Sequence, residues 1–365
     1  MSPKSLTIDS ELLRRLPKAE LHCHLDGSVR PETLLELGRE YRVKMPRDSA
    51  EALRDYMLVD DARSLDDYLK RFEVTLSVMQ TAEALERIAY ELAIDAARDG
   101  VRYIEVRYAP ILNVHQGLSL AAAVEAPLRG LARAQKEAGI VAKVLVCALR
   151  QLSSAQSLEL AELAVAYKGS GVVGFDLAGG EAGNPASKHA KAFEYAHTHD
   201  LACTCHAGEG AGAESVREAV HVCGANRIGH ATHLIDDESL TQYVNDRRIA
   251  LEICLTSNVQ THAAESYEEH PLRAYHARGM KVVLNTDNRL MSGTTLTDEY
   301  LHAARELGFG FDDLCQFALN GFESAFAHWS ERETLLADAR ARIAQLREPV
   351  GLPPRVSTSP AAGAS

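Results

Sequence analysis

The sequence predicts a (β/α)8 barrel with a helical lid inserted after its first strand, and three observations predict it. Eight short apolar runs recur along the chain, helix-patterned segments separate them, and residues able to do chemistry sit near the C-terminal end of run after run. Strands that alternate with helices form parallel βαβ units. Eight such units in one chain point to a closed barrel rather than an open sheet.

The first run, AELHCH (residues 19–24), holds His22 and His24 one residue apart. Side chains alternate faces along a strand, so the two imidazoles share a face and Cys23 takes the other. In the long stretch before the second run, SLDDYLKRFEVTLSVMQ (64–80) has the pattern of an amphipathic helix, with Tyr68 and Phe72 one turn apart. It is the candidate lid, which would keep water from a reacting base; ordinary core packing gives the same spacing. The next runs are VRYIEVRYA (101–109), VAKVLVCAL (141–149) and VVGFDLAG (172–179). LACTCHAG (201–208), RIGHATHL (227–234), ALEICLTSN (250–258) and VVLNTDN (282–288) complete the eight. Between runs, AEALERIAYELAIDAARDG and AESVREAVHVCG each finish on a glycine where a C-cap belongs.

Composition bounds the function. The chain has 365 residues, 46% hydrophobic and 25% charged, as in an ordinary globular protein with ample core. Residues 1–350 read as a single domain and GLPPRVSTSPAAGAS (351–365) as a disordered tail. A formal charge of −12 argues against a nucleic-acid polymer as partner, while leaving room for a small nucleoside. No run reaches the roughly 18 apolar residues of a membrane span, and the N-terminus lacks the apolar stretch of a signal peptide. Seven cysteines without paired spacing fit a reducing cytoplasm; Cys203 and Cys205 read as buried strand residues. Oligomeric state is not encoded in any visible pattern.

His24, Gly179, His206, Glu209, His230, Asp287 and Asn288 all fall near the C-terminal ends of their strands, the face on which barrels build active sites. A mononuclear catalytic zinc takes three or four N/O ligands and keeps one position open. His22 and His24 from strand one, His206 from strand five and Asp287 from strand eight supply that set, since strands one and eight are neighbours in a closed barrel. His230 is then a candidate base and Glu209 a candidate general acid. His233 is odd-spaced from His230 and reads as structural.

One motif competes. GEGAGA (208–213) satisfies the G-x-G-x-x-A dinucleotide fingerprint, with Asp236 or Asp237 available as a ribose-binding acid, which would make the protein a dinucleotide-dependent oxidoreductase. That assignment leaves the paired histidines, Glu209 and NTDN without a role, and Glu214 at the helix start suits a pyrophosphate poorly. A G-x-S-x-G elbow, a Walker A loop and the cytidine-deaminase pattern are all missing.

With these residues in hand, the sequence resembles the adenosine/AMP deaminase family of the amidohydrolase superfamily. The likeness runs from LPKAELHCHLDGSVRPETL through FDLAGGE, CHAGEG, RIGHATHL and LEICLTSN to LNTDNRLMSGTTL. It implies one zinc per chain on His22, His24, His206 and Asp287, because strand four lacks the lysine that bridges two metals in binuclear relatives. It further implies that Glu209 protonates purine N1, that His230 activates water, that Asp26 holds a ribose hydroxyl and that the Gly179 backbone meets N3. Asp176 looks like the family's structural strand-four aspartate. The implied reaction is hydrolytic deamination of adenosine and deoxyadenosine; a modified adenine nucleoside such as aminodeoxyfutalosine, or free adenine, is the alternative. Many members carry a second aspartate where this chain has Asn288. An amide donates at any pH, so Asn288 is expected to preserve a contact to purine N7 without the protonation an aspartate needs.

Overall fold

The computed structural model describes residues 7–59 and 71–347. Eight strands, β1 (Lys18–His24), β2 (Val101–Tyr108), β3 (Val141–Leu149), β4 (Val172–Ala178), β5 (Ala202–Ala207), β6 (Arg227–His230), β7 (Ala250–Ile253) and β8 (Val282–Leu284), lie in sequential order. Every neighbouring pair is parallel. Helices follow the strands, and the fold is the expected (β/α)8 barrel.

Three strands are shorter than their apolar runs by four residues or more. At the end of β6, His230 (φ 62°) and Ala231 (φ 55°) take consecutive left-handed conformations and turn the chain into the short 3-10 helix Thr232–Asp236. After β7 the chain enters the helix Leu255–Gln260, so TSN is helical rather than extended. After β8, Asp287 (φ 59°) turns the chain out of the sheet. The extra apolar and polar residues of these runs are buried by loops over the barrel mouth, which hydrophobicity alone does not distinguish from strand.

The barrel closes through β1 and the segment after β8. Asn285 Oδ1 accepts the N–H groups of Leu21 (2.8 Å) and His22 (3.1 Å). Asp287 then donates to His22 O (3.0 Å) and accepts from His24 N (2.7 Å). The interior below the mouth is polar rather than aliphatic. Arg107 on β2 bridges Asp176 on β4 (3.0 Å) and Glu252 on β7 (2.8 Å), and Arg227 on β6 joins Glu252 (2.6 Å) to Glu105 on β2. At the far end Phe326 lies over the Arg227 guanidinium, 3.5 Å from its ring centroid.

The β1–β2 connection carries the helices Pro31–Tyr41, Ala50–Met57, Phe72–Leu76 and Ala82–Arg98. Of the expected lid segment 64–80, residues 71–80 are described and Phe72–Leu76 is helical; Tyr68 lies outside the described residues, as does the expected tail. Ala82–Arg98 packs on Leu120–Ala138, the helix after β2, through Gly130, where a Cβ would stand 2.1 Å from Glu86 O. Gly130→Ala is therefore expected to lower stability by about 1–3 kcal/mol in urea titrations through overpacking. Alanine's better helix propensity alone would raise it, so a stabilised variant would refute the close approach. Among the described residues, no helix is long and apolar enough to cross a membrane.

Candidate functional site

The alternation of β1 brings His22 and His24 to the inner face of the mouth, and the β1–β8 hydrogen bonds place Asp287 against them. His22 Nε2 and His24 Nε2 each lie 3.4 Å from Asp287 Oδ1. His206, near the end of β5, brings its Nε2 to 3.1 Å from His24 Nε2. His230, the last residue of β6, also converges: one donor atom each from His22, His206, His230 and Asp287 lies within 4.8 Å of the others. Two ligands on one tetrahedral zinc stand about 3.3–3.6 Å apart, given bonds of about 2.0–2.2 Å. The His22–Asp287 and His24–Asp287 spacings of 3.4 Å match such an edge, and the His24–His206 spacing of 3.1 Å is slightly shorter. His22 Nε2 is fully buried without a hydrogen-bond partner, as expected of an atom aimed at an ion. The residues therefore fit one small divalent metal.

Three of these donors are steered from behind. His22 Nδ1 pairs with Glu252 (2.9 Å), His206 Nδ1 with Asp176 (3.2 Å), and Asp287 Oδ2 accepts from Ser257 (2.7 Å). Such carboxylate–imidazole pairs fix ring orientation and tautomer in metal sites. Burial pushes both carboxyls up, but His206 and Arg107 hold Asp176, and Arg107 and Arg227 hold Glu252, well below the usual carboxylate range. Arg107 thus links the two imidazole-orienting anions. Burial also lowers His24 and His206, favouring the neutral form that ligates.

Glu209 stands in the loop after β5, and that loop is clamped. Glu181 accepts the backbone N–H of Gly208 (2.7 Å), Glu209 (3.0 Å) and Gly210 (2.7 Å). Thr261 donates to Glu209 Oε1 (3.0 Å), and Glu209 Oε2 lies 3.4 Å from His230 Nε2. Burial, reinforced by the charges of Asp287 and Glu181, pushes the Glu209 pKa well above the carboxylate range. Burial and the neighbouring His22 push His230 well below its usual value.

A cavity of ≈ 380 Å³ opens on these groups, within the size of small-molecule sites. It is lined by His24, Asp26, Phe72, Gly179, His206, Glu209, His230, Asp287 and Asn288, so every expected site residue except His22, buried behind it, and Tyr68, outside the described residues, meets there. Asp26 Oδ1 and Asn288 Oδ1 are buried without a hydrogen-bond partner, and His24 Nδ1 stands 4.0 Å from the former. Asn288 packs so closely on Gly27 that a Cβ there would stand 1.7 Å from its Oδ1. His233 pairs with Asp236 (3.0 Å), away from the mouth, and Cys203 and Cys205 are buried in β5. The competing fingerprint is occupied by the protein itself: the Glu214 carboxylate lies over Gly212, the N-cap of Ala213–His221.

Sequence reasoning missed Arg107, Glu181, Glu252, Ser257, Asn258 and Thr261, and took Asp176 as structural only. A signal was present for three of the buried charges. Asp176 and Glu252 each interrupt an otherwise apolar strand, Arg107 sits with Arg102 and Glu105 in β2, and a buried charge needs a partner.

Comparison with known proteins gives a consistent picture. The family model described as Adenosine deaminase matches residues 17–341. An adenosine deaminase of Mycobacterium sp. (strain JLS) is 42% identical over 346 residues, covering 90% of this chain and 95% of that protein. Among solved structures, an adenine deaminase from Arthrobacter aurescens superposes with TM-score 0.84 at 26% identity, covering 90% of this chain and 99% of that one. An amidohydrolase from Burkholderia ambifaria with bound Zn gives TM-score 0.84 at 25% identity, covering 94% and 96%.

Proposed function

The chain belongs to the adenosine deaminase family, and from that premise we propose that it hydrolyses adenosine and deoxyadenosine to the 6-oxo nucleosides and ammonia, with one zinc per chain. The observation that carries this is the convergence of His22, His24, His206 and Asp287 at ligand spacing beside Glu209, on the floor of a cavity sized for a small molecule. Those four residues would hold the metal; the zinc-bound amidohydrolase of similar fold supports its identity. When bound, zinc supplies Lewis acidity that brings the pKa of water towards neutrality.

The chain's own groups do the rest. Glu209, held by Glu181 and Thr261, gives a proton to purine N1 as oxygen adds to C6. His230 borders the same oxygen. Asp26, through the Oδ1 that lacks a hydrogen-bond partner, takes a ribose hydroxyl, the Gly179 backbone meets N3, Asn288 faces N7 and Phe72 covers the base. Among the described residues lining the cavity none is Lys or Arg, and Glu73 and Asp26 add acid, which supports a nucleoside over its phosphate.

An ultraviolet assay on metal-analysed protein tests this with adenosine, deoxyadenosine, adenine and AMP offered separately. Rapid turnover of both nucleosides, slow turnover of adenine and AMP, and about one zinc per chain are expected. Failure of all four with zinc bound would sink the adenosine assignment and turn the search to modified adenine nucleosides.

A further inference from the structure

We propose that His230 serves the reaction as a hydrogen-bond donor through Nε2–H, fixed in that tautomer by Asn258 and His270, and that Glu209 takes the proton from water. The proposal rests on the deaminase reading above and reassigns the histidine that the sequence suggested as base.

The tautomer follows from a chain of hydrogen bonds that starts at a group with only one role. The backbone N–H of Leu272 donates to His270 Nδ1 (3.1 Å). An imidazole that accepts at Nδ1 carries its proton on Nε2 when neutral. His270 is buried, and burial pushes its pKa down to about 3, so it is neutral. Its Nε2–H therefore donates to Asn258 Oδ1 (3.2 Å). That turns the Asn258 amide so that Nδ2 donates to His230 Nδ1 (3.0 Å). His230 in turn holds its proton on Nε2, which faces Glu209 Oε2 at 3.4 Å. A base at His230 Nε2 would require reversing the whole relay, and one pair of donors would then face each other in a buried site. An Nε2 that bears hydrogen also cannot ligate a metal, which leaves His22, His24, His206 and Asp287 as the donor set.

Glu209 meets a donor at each oxygen, Thr261 at Oε1 and His230 at Oε2, as an acceptor should. Burial makes its carboxylate a stronger base than an exposed one. As the water oxygen bonds to C6, one O–H bond breaks and its proton goes to Glu209, which passes it to N1. The C6 hydroxyl then gives its proton to the amino group, the C6–N bond breaks, and ammonia leaves with that electron pair as C6=O forms. His230 gains and loses no proton. Asn258 and His270 are positioning residues.

Nitrogen NMR of the 15N-histidine-labelled holoenzyme tests this without substrate, with His230 assigned by the resonances lost in His230→Gln. Protonated Nε2 and bare Nδ1 are expected; protonated Nδ1 overturns the proposal. Kinetically, Asn258→Asp presents only acceptors to His230 Nδ1 and forces the other tautomer, a fault that costs up to about 10⁴ in rate at a catalytic histidine. A fall in kcat of about 100-fold or more, with the adenosine KM within threefold, is expected. Unchanged or raised kcat in Asn258→Asp would restore His230 as the base. Inactivity of the wild type on adenosine would refute the substrate instead, and leave the tautomer measurable.

Discussion

Glu209→Gln lowers kcat for adenosine by about 10²–10⁴, the usual worth of a positioned proton-transfer group. That corresponds to about 3–5 kcal/mol of transition-state stabilisation. The substitution is nearly isosteric and keeps an oxygen to accept from Thr261, so the side chain stays where the carboxyl was. The Glu181 clamp grips backbone N–H groups and is indifferent to the change. What is lost is the ability to exchange a proton with N1. Metal content and KM are therefore expected to hold while kcat falls, which steady-state kinetics with parallel metal analysis would read. A loss below tenfold in metal-replete protein would remove Glu209 from the proton path.

Arg107→Leu has the largest expected effect on stability. The guanidinium is fully buried, bridges Asp176 and Glu252, and also donates to Leu21 O on β1. Removing one partner of a buried ion pair costs about 3–5 kcal/mol because the charge left behind cannot return to water. Two carboxylates are left here, although Glu252 keeps Arg227 and Asp176 keeps His206. The same two carboxylates orient the imidazoles of His22 and His206, so metal affinity should fall about 10–100-fold as well. Urea unfolding of metal-free protein separates the first effect from the second. A metal-free stability within 1 kcal/mol of wild type would mean that water or neighbouring groups replace the guanidinium.

The barrel and its reacting groups were legible in the sequence because both leave local traces. Strand–helix alternation sets the topology, and a histidine or aspartate on the inward face of a strand's C-terminal end points into the mouth. The support beneath those groups was harder to see. Asn258 ends a run whose apolar start suggested continuing strand, yet it sits on the short helix Leu255–Gln260, which Thr261 caps, and the two reach back to His230 and Glu209. Glu181 contributes to Glu209 through main-chain amides of a different loop, a relation with no sequence period. His270 acts through two intermediaries, and no residue pattern announces a relay of that kind.

The junction of β1 with the segment after β8 bears on how the chain comes to be folded. Leu21 and Asn285 stand 264 positions apart and are joined by a 2.8 Å hydrogen bond, so this is among the most distant pairings the described chain makes. Loop-closure entropy weighs most heavily on such contacts, and topologies dominated by them assemble slowly. Asp287 reaches His22 and His24 through that same junction. The reactive cluster is therefore incomplete in every partly assembled form in which the two ends of the sheet have not met, and its completion carries one of the largest loop-closure costs in the chain.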